Sequence, residues 1–130
     1  MIQFARLLSY PASFKHLEKN VKPLNIDTIN ASLIDNIITV KTIINEHELE
    51  LNVFDNQLRP NSPCRIYCDC EFFKFNLAYG LYKADALLYP ERFVLKPPKT
   101  KNTFLTLSGC KHIILVARAI YQNRNIITYE

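Results

Sequence analysis

The stretch "CRIYCDCEFFKF", residues 64–75, holds three of the chain's four cysteines within seven positions, and the fourth follows in "SGCKHIILVA", residues 108–117. How these thiols are read decides the fold, because a metal shared between the two stretches would clip a C-terminal segment to a strand. Run as a strand, residues 64–70 place Cys64, Cys68 and Cys70 on one side, each two-residue step advancing about 6.6 Å. Cys64 then lies about 13 Å from Cys68, too far to share one metal. Cys68 and Cys70 differ, since a kink at Asp69 brings both sulfurs to one centre with Zn–S bonds of about 2.3 Å.

"GCKH" supplies the complementary pair. Gly109 lets the backbone turn, Cys110 falls at a helix N-terminus where the dipole favours a thiolate, and His112 offers an imidazole nitrogen two residues on. Three thiolates and one imidazole fill a tetrahedral zinc shell and leave no position for water, so this zinc is expected to be structural and not catalytic. The 39 residues between Cys70 and Cys110 do not forbid the site. Closing a loop of that length instead of one of about 12 residues costs about 1 kcal/mol more, against roughly 10–16 kcal/mol for structural zinc binding. Cys64 reads as a small buried hydrophobe. His16 and His47, with no cysteine neighbour, read as surface or core-edge residues.

Around these ligands, residues 37–44 and 47–54 alternate with period two, with Ile38, Val40 and Ile44 on one parity and Leu49, Leu51 and Val53 interleaved with Glu48, Glu50 and Asn52. They predict a β-hairpin turning at Asn45 and Glu46. Residues 65–70 supply a third strand. Residues 1–20 read as a helix broken at Pro11, with Phe4, Leu7 and Leu8 apolar and Ser13 a fresh cap, and "NIDTINAS" (25–32) as a connection. Residues 72–88 suit a short strand and then a helix. "YPERFVLKPPKTKN" is a basic, proline-rich excursion, and residues 111–122 form a helix with Ile113, Val116, Ala117 and Ile120 on one side and Ser108 as cap. The expected fold is α+β: an N-terminal helical segment (1–36) and a zinc-joined core (37–122) of a three-stranded antiparallel meander and a C-terminal helix, together one domain of 130 residues.

The order "CDC" then "CKH", with a hairpin before and an apolar helix after, resembles the SWIM-type zinc finger, C-x-C-x(n)-C-x-H, a compact ββα unit found in chromatin-remodelling ATPases, Mutator-like transposases and some kinases. The resemblance implies Cys68, Cys70, Cys110 and His112 as ligands of a structural Zn2+, with Lys111 the variable residue. With "EFFKFNLAYGLYKADALL" and "KPPKTKN" between the two halves, the chain is also similar to small tailed-phage virion proteins, which implies a structural component of a capsid or tail.

Charge sharpens the question of partners. Residues 1–58 balance at −2 and residues 59–130 at +6, so basic character belongs to the cysteine-bearing half. Lys74, Lys96, Lys99 and Lys101 interleave with Phe73, Tyr79 and Tyr82, a mixture that suits a single-strand nucleic-acid groove or a protein interface. The interface is the preferred reading, which makes the chain an adaptor among other proteins of a large assembly. Nucleic-acid binding through residues 72–102 is the rival. No small-molecule substrate is expected: with Gly80 and Gly109 the only glycines, neither a phosphate-cradling loop nor a dinucleotide fingerprint can be built, and Asp85 and Glu91 read as surface charges. An Arg and an early Pro in "MIQFARLLSYPASF" suit neither an export signal nor a membrane span. The expectation is a non-enzymatic protein made in the reducing cytoplasm, with a virion as its later location.

Overall fold

The computed structural model describes residues 1–11, 29–99, 101–102 and 104–129. Two tight turns organise its sheet. Asn45 and Glu46 both adopt positive φ (51° and 67°), the turn whose twist matches flanking antiparallel strands. They join β3 (Ile37–Ile44) to β4 (His47–Val53), in register from Ile38↔Val53 to Ile44↔His47. Asp35 and Asn36 do the same one hairpin earlier (φ 53° and 61°), joining β2 (Asn30–Ile34) to β3. β5 (Pro63–Cys68) pairs with β4, and β1 (Ile2–Gln3) pairs with β5 through Ile2↔Cys64. The result is a five-stranded antiparallel sheet in the order β1-β5-β4-β3-β2.

The expected α+β class and the hairpin at residues 45–46 agree with this architecture. The three-stranded meander does not, because residues 30–34 form an edge strand where a connection was expected and residues 2–3 add a second edge. The N-terminal helix is also corrected. Phe4–Leu7 is a single 3-10 turn that buries Phe4 and Leu7, so the i, i+3 apolar spacing is satisfied by one turn behind a paired strand. The expected cap at Ser13 and the helix after it lie outside the described residues.

Residues 72–75 form no strand. The chain enters helix directly after the cysteine knuckle, with the Lys74 amide donating to the Cys70 carbonyl at 3.0 Å, and a π turn at Phe73–Leu77 continues as α1 (Ala78–Lys83). Next, residues 86–88 lie along the free edge of β5, where the Ile66 amide donates to the Ala86 carbonyl and the Leu88 amide to the Ile66 carbonyl, each at 2.9 Å. Among its described residues the basic excursion has no long helix, only a 3-10 turn at Pro90–Arg92. α2 (Lys111–Gln122) stands where expected and buries Ile113, Val116, Ala117 and Ile120. At roughly 1.5–3 kcal/mol for each large aliphatic side chain, that stripe fastens α2 to the inner sheet face of Ile38, Leu49, Leu51 and Ile66.

Ser108 is not the cap of α2. Cys110 holds that position, and the buried Ser108 hydroxyl donates to the Gly109 carbonyl. Gly109 matters for a different reason from the expected turn. Its φ is not positive, but a Cβ there would stand 2.6 Å from Ile113 Cγ2, so only glycine lets this backbone pass over the first turn of α2. Among the described residues, no helix is long and apolar enough to cross a membrane.

Candidate metal centre

Three elements deliver the centre. Cys68 ends β5, Cys70 follows the one-residue knuckle at Asp69, and Cys110 and His112 open α2. All four side chains are buried, and their donor atoms lie within 4.8 Å of one another. The His112 Nδ1 is 3.9 Å from both Cys68 Sγ and Cys110 Sγ. Tetrahedral bonds of about 2.3 Å to sulfur and 2.0–2.1 Å to nitrogen imply S···N separations of about 3.6 Å, so these two separations are within a few tenths of an ångström of coordination geometry. None of the four cysteines is in a disulfide. Cys64 is buried in the core, outside the cluster, with its thiol donating to the Ser62 carbonyl at 3.4 Å.

The thiols' own electrostatics show what the cluster needs. Hydrogen bonds from Cys110 and then Cys68 hold Cys70 far below the ordinary thiol range. Cys68 is pushed up to about 12: the Cys110 bond favours its thiolate, but Cys70 and burial outweigh that bond. Burial, reinforced by both neighbours, raises Cys110 well above its ordinary value. Burial thus opposes ionising the three thiols together, and holding all of them as thiolates requires a cation among them. A divalent metal fits that requirement.

The knuckle is braced from β4. The Asp69 amide donates to the Glu48 carbonyl (3.1 Å), the Glu48 amide donates to Asp69 Oδ1 (3.1 Å), and His47 Nδ1 lies 3.0 Å from the same oxygen. The His47 ring also packs against His112, with centroids 5.0 Å apart. His47 and Asp69 thus couple the two halves of the centre from outside it, one touching the His112 ligand and the other separating Cys68 from Cys70. Sequence reasoning misses this role of His47, since nothing local announces a partner 22 residues away; only its cross-strand position opposite the cysteine knuckle reveals it. A cleft of about 410 Å³, lined by His47, Glu71, Phe72 and Lys111 together with Cys70, Cys110 and His112, opens at the cluster.

The residues expected to meet a partner divide. Phe73 is fully buried and packs at 5.7 Å from Phe93, a correction that follows from the π turn, which points it inward and Phe75 outward. Lys74, Lys96, Lys99 and Lys101 are exposed, as is Tyr82, and Tyr79 is half-buried under Lys83. Phe75 and Phe104, which the sequence reading does not select, are the most exposed rings of this region. Asp85 is engaged, with Arg65 donating to its carboxylate at 2.9 Å and holding it below the usual carboxylate range. Comparison with protein-family models, with curated proteins and with solved structures finds no match to this chain.

Proposed function

We propose that the chain is a non-enzymatic, zinc-stabilised structural or adaptor subunit that works inside a larger assembly by presenting a surface to macromolecular partners. The observation that carries this reading is the closure of the donor set. Three buried sulfurs and one buried imidazole nitrogen converge on one point, and a tetrahedron of three sulfurs and one nitrogen is the preference of zinc over harder, octahedral cations. A filled shell has no place for an activated water, which favours a structural metal. The order of the ligands, between a hairpin and an apolar helix, supports the SWIM-type reading. The virion of a tailed phage, as setting and final location, is supported by resemblance to small virion proteins.

The test is the metal content of protein purified without chelator, together with what co-purifies from the native source. The expected result is about one zinc per chain, unfolding on chelation, and recovery in a multiprotein particle. A zinc ratio near zero overturns the reading.

A further inference from the structure

The outward side of residues 71–83 carries Phe75 and Tyr82, exposed at 68% and 51%, flanked in sequence by Lys74 and Lys83, with the Lys83 cation 5.4 Å from the Tyr79 ring centroid. A second segment is fastened against the same helix. Asn102 Nδ2 donates to the Asn76 carbonyl at 2.8 Å, Thr106 N donates back to Asn102 Oδ1 at 2.8 Å, and the Leu105 side chain abuts Gly80. This loop holds Phe104 at 95% exposure beside Lys101. Large rings left open on anchored backbone, flanked by lysine, are not solvation alone.

We propose that this face binds single-stranded nucleic acid, an inference that rests on the chain acting through a presented surface. Charge complementarity is the first argument. Residues 74–104 hold six Lys/Arg and two Asp/Glu, a +4 balance equal to that of the whole chain. Among the described residues, Lys74, Lys99 and Lys101 form no ion pair, and Glu71 is the one acid on residues 71–83.

The second argument separates nucleic acid from protein. Tyr–Arg pairs mark protein interfaces and lysine is depleted there, but the cations of residues 71–83 and 101–106 are all lysine, and arginines elsewhere engage groups of the fold. Arg65 binds Asp85, Arg92 stacks at 4.1 Å over Tyr89, Arg118 donates to the Leu8 carbonyl, and Arg124 lies 4.2 Å over Tyr121. What this face presents is lysine with bare rings, the pairing that tracks phosphates while unpaired bases stack. A duplex hides its base faces and offers these rings nothing to stack on.

The test uses the full, zinc-loaded chain and a fluorescent mixed-sequence DNA single strand of about 15 nucleotides, read by anisotropy, with the matching duplex beside it. The single strand should bind more tightly than the duplex. Its affinity should fall about 20-fold between 50 and 200 mM salt if three lysines meet phosphates, at about 0.7 logarithmic units per contact for each tenfold rise in salt. Phe75→Ala, Tyr82→Ala and Phe104→Ala should each weaken binding about fivefold or more without loss of zinc, and Tyr82→Phe should retain it. The proposal is overturned by no single-strand affinity at 50 mM salt, by equal or tighter duplex binding, or by ring variants that bind as well as the parent. It is also overturned by a protein partner that survives nuclease and high salt and is released by the same substitutions. Each of these leaves the zinc stoichiometry intact, so failure here is distinct from failure of the metal centre.

Discussion

Replacing Asp69 by alanine tests how two sulfurs separated by one residue are aimed at one point. Its carboxylate accepts from the Glu48 amide at 3.1 Å and meets His47 Nδ1 at 3.0 Å, and both partners are partly open to water, with side-chain exposures of 38% for His47 and 32% for Asp69. Water replaces part of what is lost, so each bond is worth about 0.5–1 kcal/mol and not the 1.5–3 kcal/mol of a shielded ionic one. The sum, about 1–2 kcal/mol, corresponds to roughly 5–30-fold in zinc affinity, in the range of outer partners of metal ligands. Competition with a chromophoric chelator at fixed pH reads that loss directly. Far-UV circular dichroism of the zinc-saturated variant separates it from general damage, since the loaded variant should fold as the loaded parent does. Zinc affinity within twofold of the parent, or a zinc-saturated variant that is itself misfolded, would refute the bracing role.

Further outcomes follow from the same geometry. Cys70→Ser should lose zinc and unfold, whereas Cys64→Ser should keep its metal at a cost on the order of 1 kcal/mol; equal loss of zinc in both, by elemental analysis, would contradict the assignment. Burial pushes the Cys64 thiol up to about 12 from 9.0. Its neutral form is favoured by the fold, so the stability it contributes is full below pH 9 and is lost as pH rises from 9 towards 12, at up to about 1.4 kcal/mol per unit. Urea melts at pH 8.5 and 10.5 should show a shallower alkaline decline in Cys64→Ala than in the parent.

Some of this was legible in the residues. Strands 37–44 and 47–53 announce themselves because one face is buried and the other wet, and Asn45–Glu46 leaves a two-residue gap. Cys68, Cys70, Cys110 and His112 stand out because C-x-C and C-x-H are spacings that ordinary packing does not favour, and the structure brings their donor atoms together. What escaped was set by distant pairing. Asn30–Ile34 lacks a strong alternation and becomes a strand only because β3 offers it an edge. Ile2–Gln3 is recruited by β5 in the same way. Phe73 and Phe75 share a parity that suggests extension, whereas the π turn that begins just after the cysteine knuckle separates them into core and surface.

The central claim is that Cys68, Cys70, Cys110 and His112 hold one zinc. Zinc X-ray absorption on the full chain, purified without chelator, tests it most directly. The account predicts about one zinc per chain with three sulfurs at about 2.3 Å and one nitrogen at about 2.0 Å. Absence of zinc, a four-sulfur shell that enlists Cys64, or a shell of oxygen ligands would contradict it.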